Sequence, residues 1–249
     1  MNFFTFKFSI VFLFITLPVF AYFAWTTFGG TQVGVSIQPA GTLQTGLVGW
    51  WTFDGPNLQQ NVADSSGQGN TGYFSTTTSA TTTVVGKLGQ ALSFDGVDDY
   101  VDAGSGNVAS IIGPITISAW IKTSSTTAQT IVGTQSTANR GYQFFLRGAA
   151  GLFRLRFNCF GVGAWETADN TALVDGKWHH YSVVNPASGS VSFYRDGVLL
   201  RTVASATGCL SSSQLPLYIA ALNSSGAAGS FVDGSLDDVR IYNRALSPE

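Results

Sequence analysis

The acidic residues of the chain are arranged unlike those of a glycoside hydrolase. Hydrolysis of a glycosidic bond needs two carboxyl groups that face the same bond. The glutamates are Glu166 and Glu249, which are far apart, and no segment carries Glu-x-Asp-x-Glu spacing. The aspartate pairs at 98–99 and 237–238 are adjacent, and adjacent strand residues point to opposite faces of a sheet. The sequence therefore predicts no catalytic residues and no enzyme.

The histidines of the chain, His179 and His180, are also adjacent. A zinc site needs further ligands, and nucleophilic catalysis needs a nucleophile within reach of its base. No such partner accompanies them at a useful spacing. We interpret both histidines as structural residues of a strand.

Composition and charge exclude a further class of partner. The formal net charge is -2, charged residues make up 10% of the chain, and no basic stripe is present, so nucleic acid is not expected as a ligand. The 29 glycines, with abundant serine and threonine, suit many short strands joined by tight turns.

The N-terminal segment, residues 1–28, predicts a hydrophobic helix that directs the chain out of the cytoplasm. It carries Lys7 as its charged residue, followed by a continuous apolar run. The segment is either a signal peptide cleaved after Ala21 or an uncleaved membrane anchor with Tyr22 and Trp25 at the interface. Both alternatives predict an extracellular or cell-surface protein. Residues 29–45 are uncharged and predict a flexible linker. Residues 46–249 are predicted to form the folded domain.

The cysteines of the chain are Cys159 and Cys209. In an exported protein an even number of cysteines favours a disulfide. The alternative is two separate buried thiols.

Alternation of apolar and polar residues predicts strands in several segments. Residues 115–121 place isoleucines on one face, and residues 152–160 carry Arg154, Arg156 and Asn158 on a polar face. Asp196-Gly197 separates two such segments and is a strong hairpin signal. The pattern predicts an all-β fold, a two-sheet antiparallel sandwich with a jelly-roll course.

Several segments, taken in order, match the motifs of one known family. They include Phe-Asp-Gly-Val-Asp-Asp-Tyr at 94–100 and Asp-Gly-Ser-Leu-Asp-Asp-Val-Arg-Ile-Tyr at 233–242, with further matches at 47–54, 64–72, 115–122, 175–181 and 193–198. They resemble laminin G-like jelly-roll domains of the concanavalin A-like lectin/glucanase superfamily. The resemblance implies a domain that binds rather than reacts. In this family the closing Arg-Ala-Leu-Ser-Pro-Glu turn normally leads into more residues, which raises the hypothesis of a truncated product.

The resemblance also implies a structural calcium ion where the opening and closing strands meet. Calcium takes carboxylate, amide and backbone carbonyl oxygens as ligands. The predicted ligands are Asp54, Asp64 and Asp237, with Asn70 as a carbonyl donor. An alternative site at the rim uses Asp95 and Asp98. The competing interpretation is that these side chains cap turns and accept backbone hydrogen bonds.

A ligand-binding patch is predicted on the second half of the domain. Trp165 lies outside the matched motifs, so its ring is expected to be exposed beside polar groups, as a platform for a sugar. Tyr142, Arg154 and Arg156 complete the predicted patch. We therefore predict a non-catalytic module that binds an extracellular carbohydrate. The alternative is a protein-adhesion or structural module of the cell envelope that contacts a cell-surface protein and binds no sugar.

Overall fold

The computed structural model describes residues 43–55, 58, 61–75, 82–149, 152–168, 171–205, 208–209 and 215–247. They belong to one compact unit, Gly41–Glu249. The predicted N-terminal helix at 1–28 and most of the predicted linker lie outside the described residues. No helix among the described residues has the length and apolar character to cross a membrane.

The described residues form short strands and two single-turn 3₁₀ helices, Asn107–Ala109 and Thr171–Val174. The strands are β1 (Leu47–Trp51), β2 (Asn61–Val62), β3 (Gly72–Phe74), β4 (Thr82–Val85), β5 (Gln90–Asp95), β6 (Val101–Asp102), β7 (Ile115–Lys122), β8 (Gln129–Gln135), β9 (Gly141–Ala149), β10 (Leu152–Cys159), β11 (Gly163–Glu166), β12 (Trp178–Asn185), β13 (Gly189–Arg195), β14 (Val198–Ser205), β15 (Tyr218–Ile219), β16 (Leu222–Ser224), β17 (Ala227–Gly229) and β18 (Asp233–Tyr242).

These strands form two sheets. The eight-stranded sheet has the order β14-β13-β12-β7-β18-β5-β4, with β1 also paired to β18. The ten-stranded sheet has the order β11-β10-β9-β8-β15-β6-β3-β2, with β16 and β17 added at β8. The pairs are antiparallel except for β16 with β8. The predicted two-sheet antiparallel sandwich is confirmed.

The core lies between the inner faces of the two sheets. Ile117 of β7 pairs with Val183 of β12, and both side chains are fully buried. Phe144 of β9 and Leu155 of β10 belong to the same buried cluster from the opposite sheet. Each such side chain stabilises the fold by about 1.5–3 kcal/mol. Because side chains alternate along a strand, burying these residues also determines which neighbours point outward.

The predicted disulfide between Cys159 and Cys209 is confirmed. It joins the end of β10 to the segment that forms a backbone bridge with Gly113, just before β7. The amide of Asn185 donates to both sulfur atoms, at 3.4 and 3.5 Å. The buried bond therefore connects the end of β10, in the ten-stranded sheet, to the segment that lies beside the residues before β7.

The first and last strands close the sandwich through a charged cluster. The indole Nε1 of Trp50 donates to Asp238 at 2.6 Å, and Arg240 lies 3.0 Å from the same carboxylate and 4.5 Å from the Trp50 ring centroid. Asp238 has a φ of +49° at a register shift in β18. At this irregularity Asp237 and Asp238 are both buried, which simple alternation in a strand does not predict.

Candidate functional site

Strands β9 and β10 place a polar layer on the outward face of the ten-stranded sheet. Their inward residues, such as Phe144 and Leu155, fill the core. The residues between them form the cross-strand pairs Arg147–Arg154, Phe145–Arg156 and Gln143–Asn158. Cross-strand partners lie on the same face of a sheet. This face therefore combines guanidinium and amide groups.

A continuous chain of hydrogen bonds orders the amides on this face. Arg156 Nε donates to Asn158 Oδ1 at 3.0 Å, and Asn158 Nδ2 donates to Gln143 Oε1 at 3.1 Å. Gln143 Nε2 then donates to Thr130 Oγ1 at 2.7 Å. We call Thr130, Gln143, Asn158 and Arg156 the polar row. Thr130 and Gln143 are buried, whereas Asn158 and Arg156 are partly exposed, so a ligand can reach the row at Asn158 and Arg156.

Beside the polar row, three arginines surround one carboxylate. Glu166 of β11 pairs with Arg147 at 3.2 Å, with Arg156 at 3.3 Å, and with Arg154. We call these four residues the arginine cluster. Partial burial raises the pKa of Glu166, but hydrogen bonds from Arg154 and Arg147 and the adjacent positive charges outweigh it, so the pKa of this carboxyl lies below its usual value. Glu166 is therefore ionised and cannot serve as a general acid near neutral pH.

An aromatic group lies on the same outward face, toward the other edge of the sheet. Tyr218 pairs with Gly133 of β8, which pairs in turn with Gln143 of the polar row. The Tyr218 ring stacks on Tyr100 with centroids 4.3 Å apart, and Phe231 lies 6.4 Å from Tyr100. Aromatic faces beside a few placed polar groups are a common lining of ligand sites.

The four residues of the predicted ligand patch do not share one face. Arg154 and Arg156 lie together on the outward face, but Tyr142 and Trp165 are buried at 0% and 8% exposure. Tyr142 alternates with Gln143 and faces the core, where its hydroxyl donates to the carbonyl of Val108.

The error at Trp165 comes from pairing between strands. Trp165 of β11 is the cross-strand partner of Phe157, an inward residue of β10, and the two rings stack with centroids 6.2 Å apart. Its indole Nε1 donates to the carbonyl of Ala204 at 3.2 Å. Trp165 is thus a core residue rather than an exposed platform. The same pairing puts Glu166 and Asn158 outward, and this is the signal that sequence reasoning did not use.

Two of the four predicted calcium ligands meet at one turn. Asp237 of β18 is fully buried, and its Oδ2 accepts the backbone N–H of Leu88 at 2.8 Å. Asp54, just after β1, accepts the backbone N–H of Gln90 at 2.7 Å. Both carboxylates therefore contact the turn 86–90 between β4 and β5. A side chain at Gly86 would approach Asp237 Oδ2 to 2.6 Å, so glycine is required there.

The second oxygen of Asp237 has no hydrogen-bond partner among the described residues, although it is buried. Burial and the nearby charges of Asp238 and Asp54 raise the pKa of Asp237 to about 6, against the lowering effect of the backbone N–H groups of Leu88 and Lys87. A buried, unpartnered carboxylate oxygen beside a second carboxylate is a suitable donor set for a hard cation such as calcium. Asp54 and Asp237 therefore fit the predicted ion.

The other two predicted ligands form a separate pair that orders a turn. Asp64 accepts the backbone N–H groups of Trp50, Ser66 and Asn70 at 3.0, 2.9 and 2.8 Å. The Asn70 amide nitrogen donates to the carbonyl of Val48 at 2.7 Å. Both carboxylate oxygens of Asp64 are thus already occupied by N–H donors. The turn-capping interpretation suits this pair better than the calcium interpretation.

The alternative rim residues Asp95 and Asp98 lie together with Asp99, with their nearest carboxylate oxygens within 4.8 Å of one another. Burial, with the charge of Asp95, raises the pKa of Asp99. Asp95 accepts the backbone N–H of Val97 at 2.8 Å, and Asp99 accepts that of Asp95 at 3.3 Å. These bonds stabilise the turn between β5 and β6.

The adjacent histidines have separate surroundings, as expected for consecutive strand residues. His179 lies between Asp196 and Asp175, with ring nitrogens 2.7 and 3.1 Å from their carboxylate oxygens. It connects the β13–β14 turn to the loop before β12. His180 packs 5.3 Å from the Trp120 ring, and burial lowers its pKa. These contacts support the interpretation of both residues as structural.

Comparison with known proteins supports the fold assignment. A laminin G model of the concanavalin A-like lectin/glucanases superfamily matches residues 95–249. A comparison with curated protein sequences gave no match.

Among solved structures, domain 4 of an extracellular arabinanase from Geobacillus stearothermophilus, in complex with arabinotriose, is similar. It has a TM-score of 0.61 and 21% identity, over 81% of this chain and 94% of that one. The binding domain of Paraclostridial mosquitocidal protein 1 has a TM-score of 0.60 and 14% identity over 83% of this chain, which spans about half (51%) of that domain. A CBM40 domain of a Ruminococcus gnavus sialidase, bound to sialyllactose, has a TM-score of 0.51 and 16% identity, over 64% of this chain and 92% of that one. At these identities the likeness shows the fold.

Proposed function

The chain belongs to the concanavalin A-like lectin/glucanase superfamily, and we propose that it is a non-catalytic module that binds a glycan outside the cell. The observation that carries the proposal is the outward face of the ten-stranded sheet, where the polar row lies beside the arginine cluster. The arabinotriose and sialyllactose complexes of similarly folded domains support it by analogy.

The polar row suits the hydroxyl groups of a sugar. A sugar hydroxyl both donates and accepts a hydrogen bond, and the buried Gln143 supports the partly exposed amide of Asn158, which offers both functions. Their mutual hydrogen bonds fix the amide orientations, so little side-chain freedom is lost on binding. Tyr100 and Phe231 are partly exposed beside the buried ring of Tyr218, and they offer apolar surface for the C–H groups of a longer glycan.

The non-catalytic part of the proposal rests on the state of Glu166. A glycoside hydrolase needs a carboxylic acid whose raised pKa keeps it protonated. The three surrounding arginines have the opposite effect, because they hold the pKa of Glu166 below its usual value. The carboxylate is therefore occupied by ion pairs and is unsuited to donating a proton to a leaving group.

The proposed location rests on the leader and on the disulfide. The segment 1–28 has the composition of an export signal or anchor. The bond between Cys159 and Cys209 is typical of a protein that matures in an oxidising compartment.

We also propose that Asp54 and Asp237 hold a calcium ion. The ion would satisfy the unpartnered oxygen of Asp237 and fix the turn 86–90 against the first and last strands. Its role is structural, because these residues contact the β4–β5 turn of the eight-stranded sheet, whereas the polar row belongs to the ten-stranded sheet.

The proposed function is tested by screening the purified full chain on a glycan array, in calcium and in chelator. Binding of at least one glycan family, lost on Asn158→Ala and retained on Ser192→Ala, is the expected result. Ser192 is the matched control, because it is a polar residue on the outward face of the other sheet. A blank array from a folded sample would contradict glycan binding and favour the protein-adhesion alternative.

A further inference from the structure

The outward face of the eight-stranded sheet carries a second group of polar and aromatic side chains. They alternate with core residues along β7, β12, β13 and β18, so they point away from the core. Ser118 of β7 pairs with Ser182 of β12, and Ser182 pairs in turn with Tyr194 of β13. On its other side, Ser118 pairs with Arg240 of β18. Two small side chains therefore lie between two large ones in one row across the sheet.

Large side chains also close one end of this row. The neighbouring outward pair on the same two strands is Trp120 with His180, and their rings pack with centroids 5.3 Å apart. Trp50 of β1 pairs with Arg240 and extends the border behind it. The two serines thus occupy a low area with a border of larger side chains. We call this area the serine depression, which consists of Ser118, Ser182, Tyr194, Trp120, His180 and Arg240.

The polar groups of the serine depression have unused hydrogen-bonding capacity. Ser118 is only 8% exposed, and its hydroxyl makes no hydrogen bond within the described part of the chain. The polar side-chain atoms there that are both buried and unpartnered belong to other residues, so the Ser118 hydroxyl is still reached from the surface. Among the described residues, the hydroxyls of Ser182 and Tyr194 and the indole Nε1 of Trp120 also have no hydrogen-bond partner. These three side chains are partly exposed, so a ligand can reach them.

The charged groups around the serine depression already have partners. Arg240 lies 3.0 Å from the Asp238 carboxylate, with its guanidinium over the Trp50 ring. The ammonium of Lys87 lies over the Trp120 ring, 4.9 Å from its centroid. Burial lowers the pKa of His180, so this ring is neutral near pH 7. An uncharged ligand therefore suits this surface better than a charged one.

We propose that the serine depression is a second sugar site, which binds an uncharged sugar independently of the polar row. A sugar hydroxyl both donates and accepts a hydrogen bond, which matches the hydroxyls of Ser118 and Ser182 and the indole N–H of Trp120. Tyr194 and its cross-strand partner Leu199, which is 52% exposed, offer apolar surface to the C–H groups of the same sugar. The proposal rests on the proposed function for the class of ligand and adds a separate site on the opposite sheet.

The test follows the indole N–H resonances of the full chain by NMR. The chain is titrated with the methyl glycosides of glucose, galactose, mannose and N-acetylglucosamine, and Trp120→Phe identifies the Trp120 resonance because this variant lacks it. We expect at least one glycoside to shift the Trp120 resonance saturably at millimolar concentration. The Trp165 resonance is the internal reference and should not move, because its Nε1 donates to the carbonyl of Ala204.

Single substitutions locate the site. Ser182→Val removes a hydroxyl and fills part of the depression, and Tyr194→Ala removes the aromatic ring. Each should weaken binding of the glycoside roughly tenfold or more. Ser192→Val is the matched control, because it makes the same change on the same face at a hydroxyl that already lies 3.3 Å from that of Thr202. Asn158→Ala interrupts the polar row and should leave the response of the Trp120 resonance unchanged.

The outcomes separate this proposal from the proposed function. A Trp120 resonance that no glycoside shifts would overturn the second site, while array binding that depends on Asn158 would still support the proposed function. A shift that survives both Ser182→Val and Tyr194→Ala would overturn the assignment to the serine depression, and a shift lost in Asn158→Ala would overturn its independence. Dimerisation in sedimentation that broadens the Trp120 resonance without sugar would make a second copy of the chain the occupant and overturn the sugar site. The wild-type titration tests the site even where a variant fails to fold.

Discussion

The buried carboxylate of Asp237 leads to a prediction about the pH dependence of stability. Burial raises the pKa of Asp237 from its usual 3.8 to about 6, so the folded chain disfavours the ionised form. Without calcium, the resulting destabilisation is absent below about pH 4. It develops as the pH rises and is complete above about pH 6.

The size of the effect follows from the two pKa values. Their difference corresponds to roughly 3 kcal/mol of unfolding free energy between pH 4 and pH 7. For a domain of this size the loss lowers the Tm by roughly 6–12 °C. Calcium favours the ionised carboxylate. An ion present at 100 times its Kd should restore about 2.7 kcal/mol.

The assay is thermal unfolding of the full chain from pH 4 to pH 7.5, in chelator and in calcium, for the wild type and for Asp237→Asn. The variant keeps an oxygen for the Leu88 N–H and loses the charge. It should lack both the loss of stability with rising pH and the gain from calcium. Other groups change the stability with pH in the opposite direction: the lowered pKa of His180 makes the unfolding free energy rise with pH up to about 6.5. Subtracting the profile of the variant from that of the wild type removes these contributions and leaves that of Asp237.

The matched control is Asp64→Asn, which changes the carboxylate that caps the turn after β2. It should lose stability, because the amide offers only one acceptor oxygen to the three backbone N–H groups, and it should keep the full response to calcium. Two results would refute the reasoning. One is a wild-type pH profile that parallels that of Asp237→Asn. The other is a calcium response that depends on Asp64 and not on Asp237.

Three further outcomes are expected. Replacing Cys159 and Cys209 by alanine removes a bond across a sequence separation of 50 and should lower the unfolding free energy by about 4 kcal/mol in the chain-entropy model. Urea unfolding measures the change, and a loss under about 1 kcal/mol would contradict a stabilising role of the disulfide. Trp165→Phe loses the hydrogen bond to Ala204 and should lower the unfolding free energy by about 1 kcal/mol, while the glycan affinity measured by calorimetry should be unchanged. A loss of affinity would indicate that the Trp165 ring contacts the glycan. Asp238→Ala leaves two partly buried donors, those of Trp50 and Arg240, without their acceptor and should cost roughly 1–2 kcal/mol in the same urea assay. A neutral effect would contradict a stabilising role for this cluster.

Local alternation was sufficient to predict part of the binding face. In β10 the apolar residues alternate strictly with Arg154, Arg156 and Asn158, and the structure buries one set and exposes the other. In β9 the same rule is hidden, because Phe145 is apolar yet lies on the outward face under Arg156. The sequence therefore did not indicate Arg147 as a residue of the same face.

The remaining features depend on pairing between distant segments. The orientation of Trp165 follows from its register with Phe157, which no local pattern around Trp165 encodes. The convergence of Asp54 and Asp237 was predicted from the meeting of the first and last strands. Asp64 does not join them, because its own turn supplies three N–H donors. Hydrogen bonds within a turn compete with a distant ligand site, and sequence spacing does not reveal which prevails.

The most direct test of glycan binding by the outward face is a calorimetric titration of the best array ligand against the wild type, Asn158→Ala and Ser192→Ala. Asn158 links Arg156 to Gln143, so its removal breaks the polar row in the middle. Asn158→Ala should lower the affinity roughly tenfold or more, and Ser192→Ala should have no effect. Equal affinities for all three proteins would show that the sugar binds elsewhere and would contradict the account.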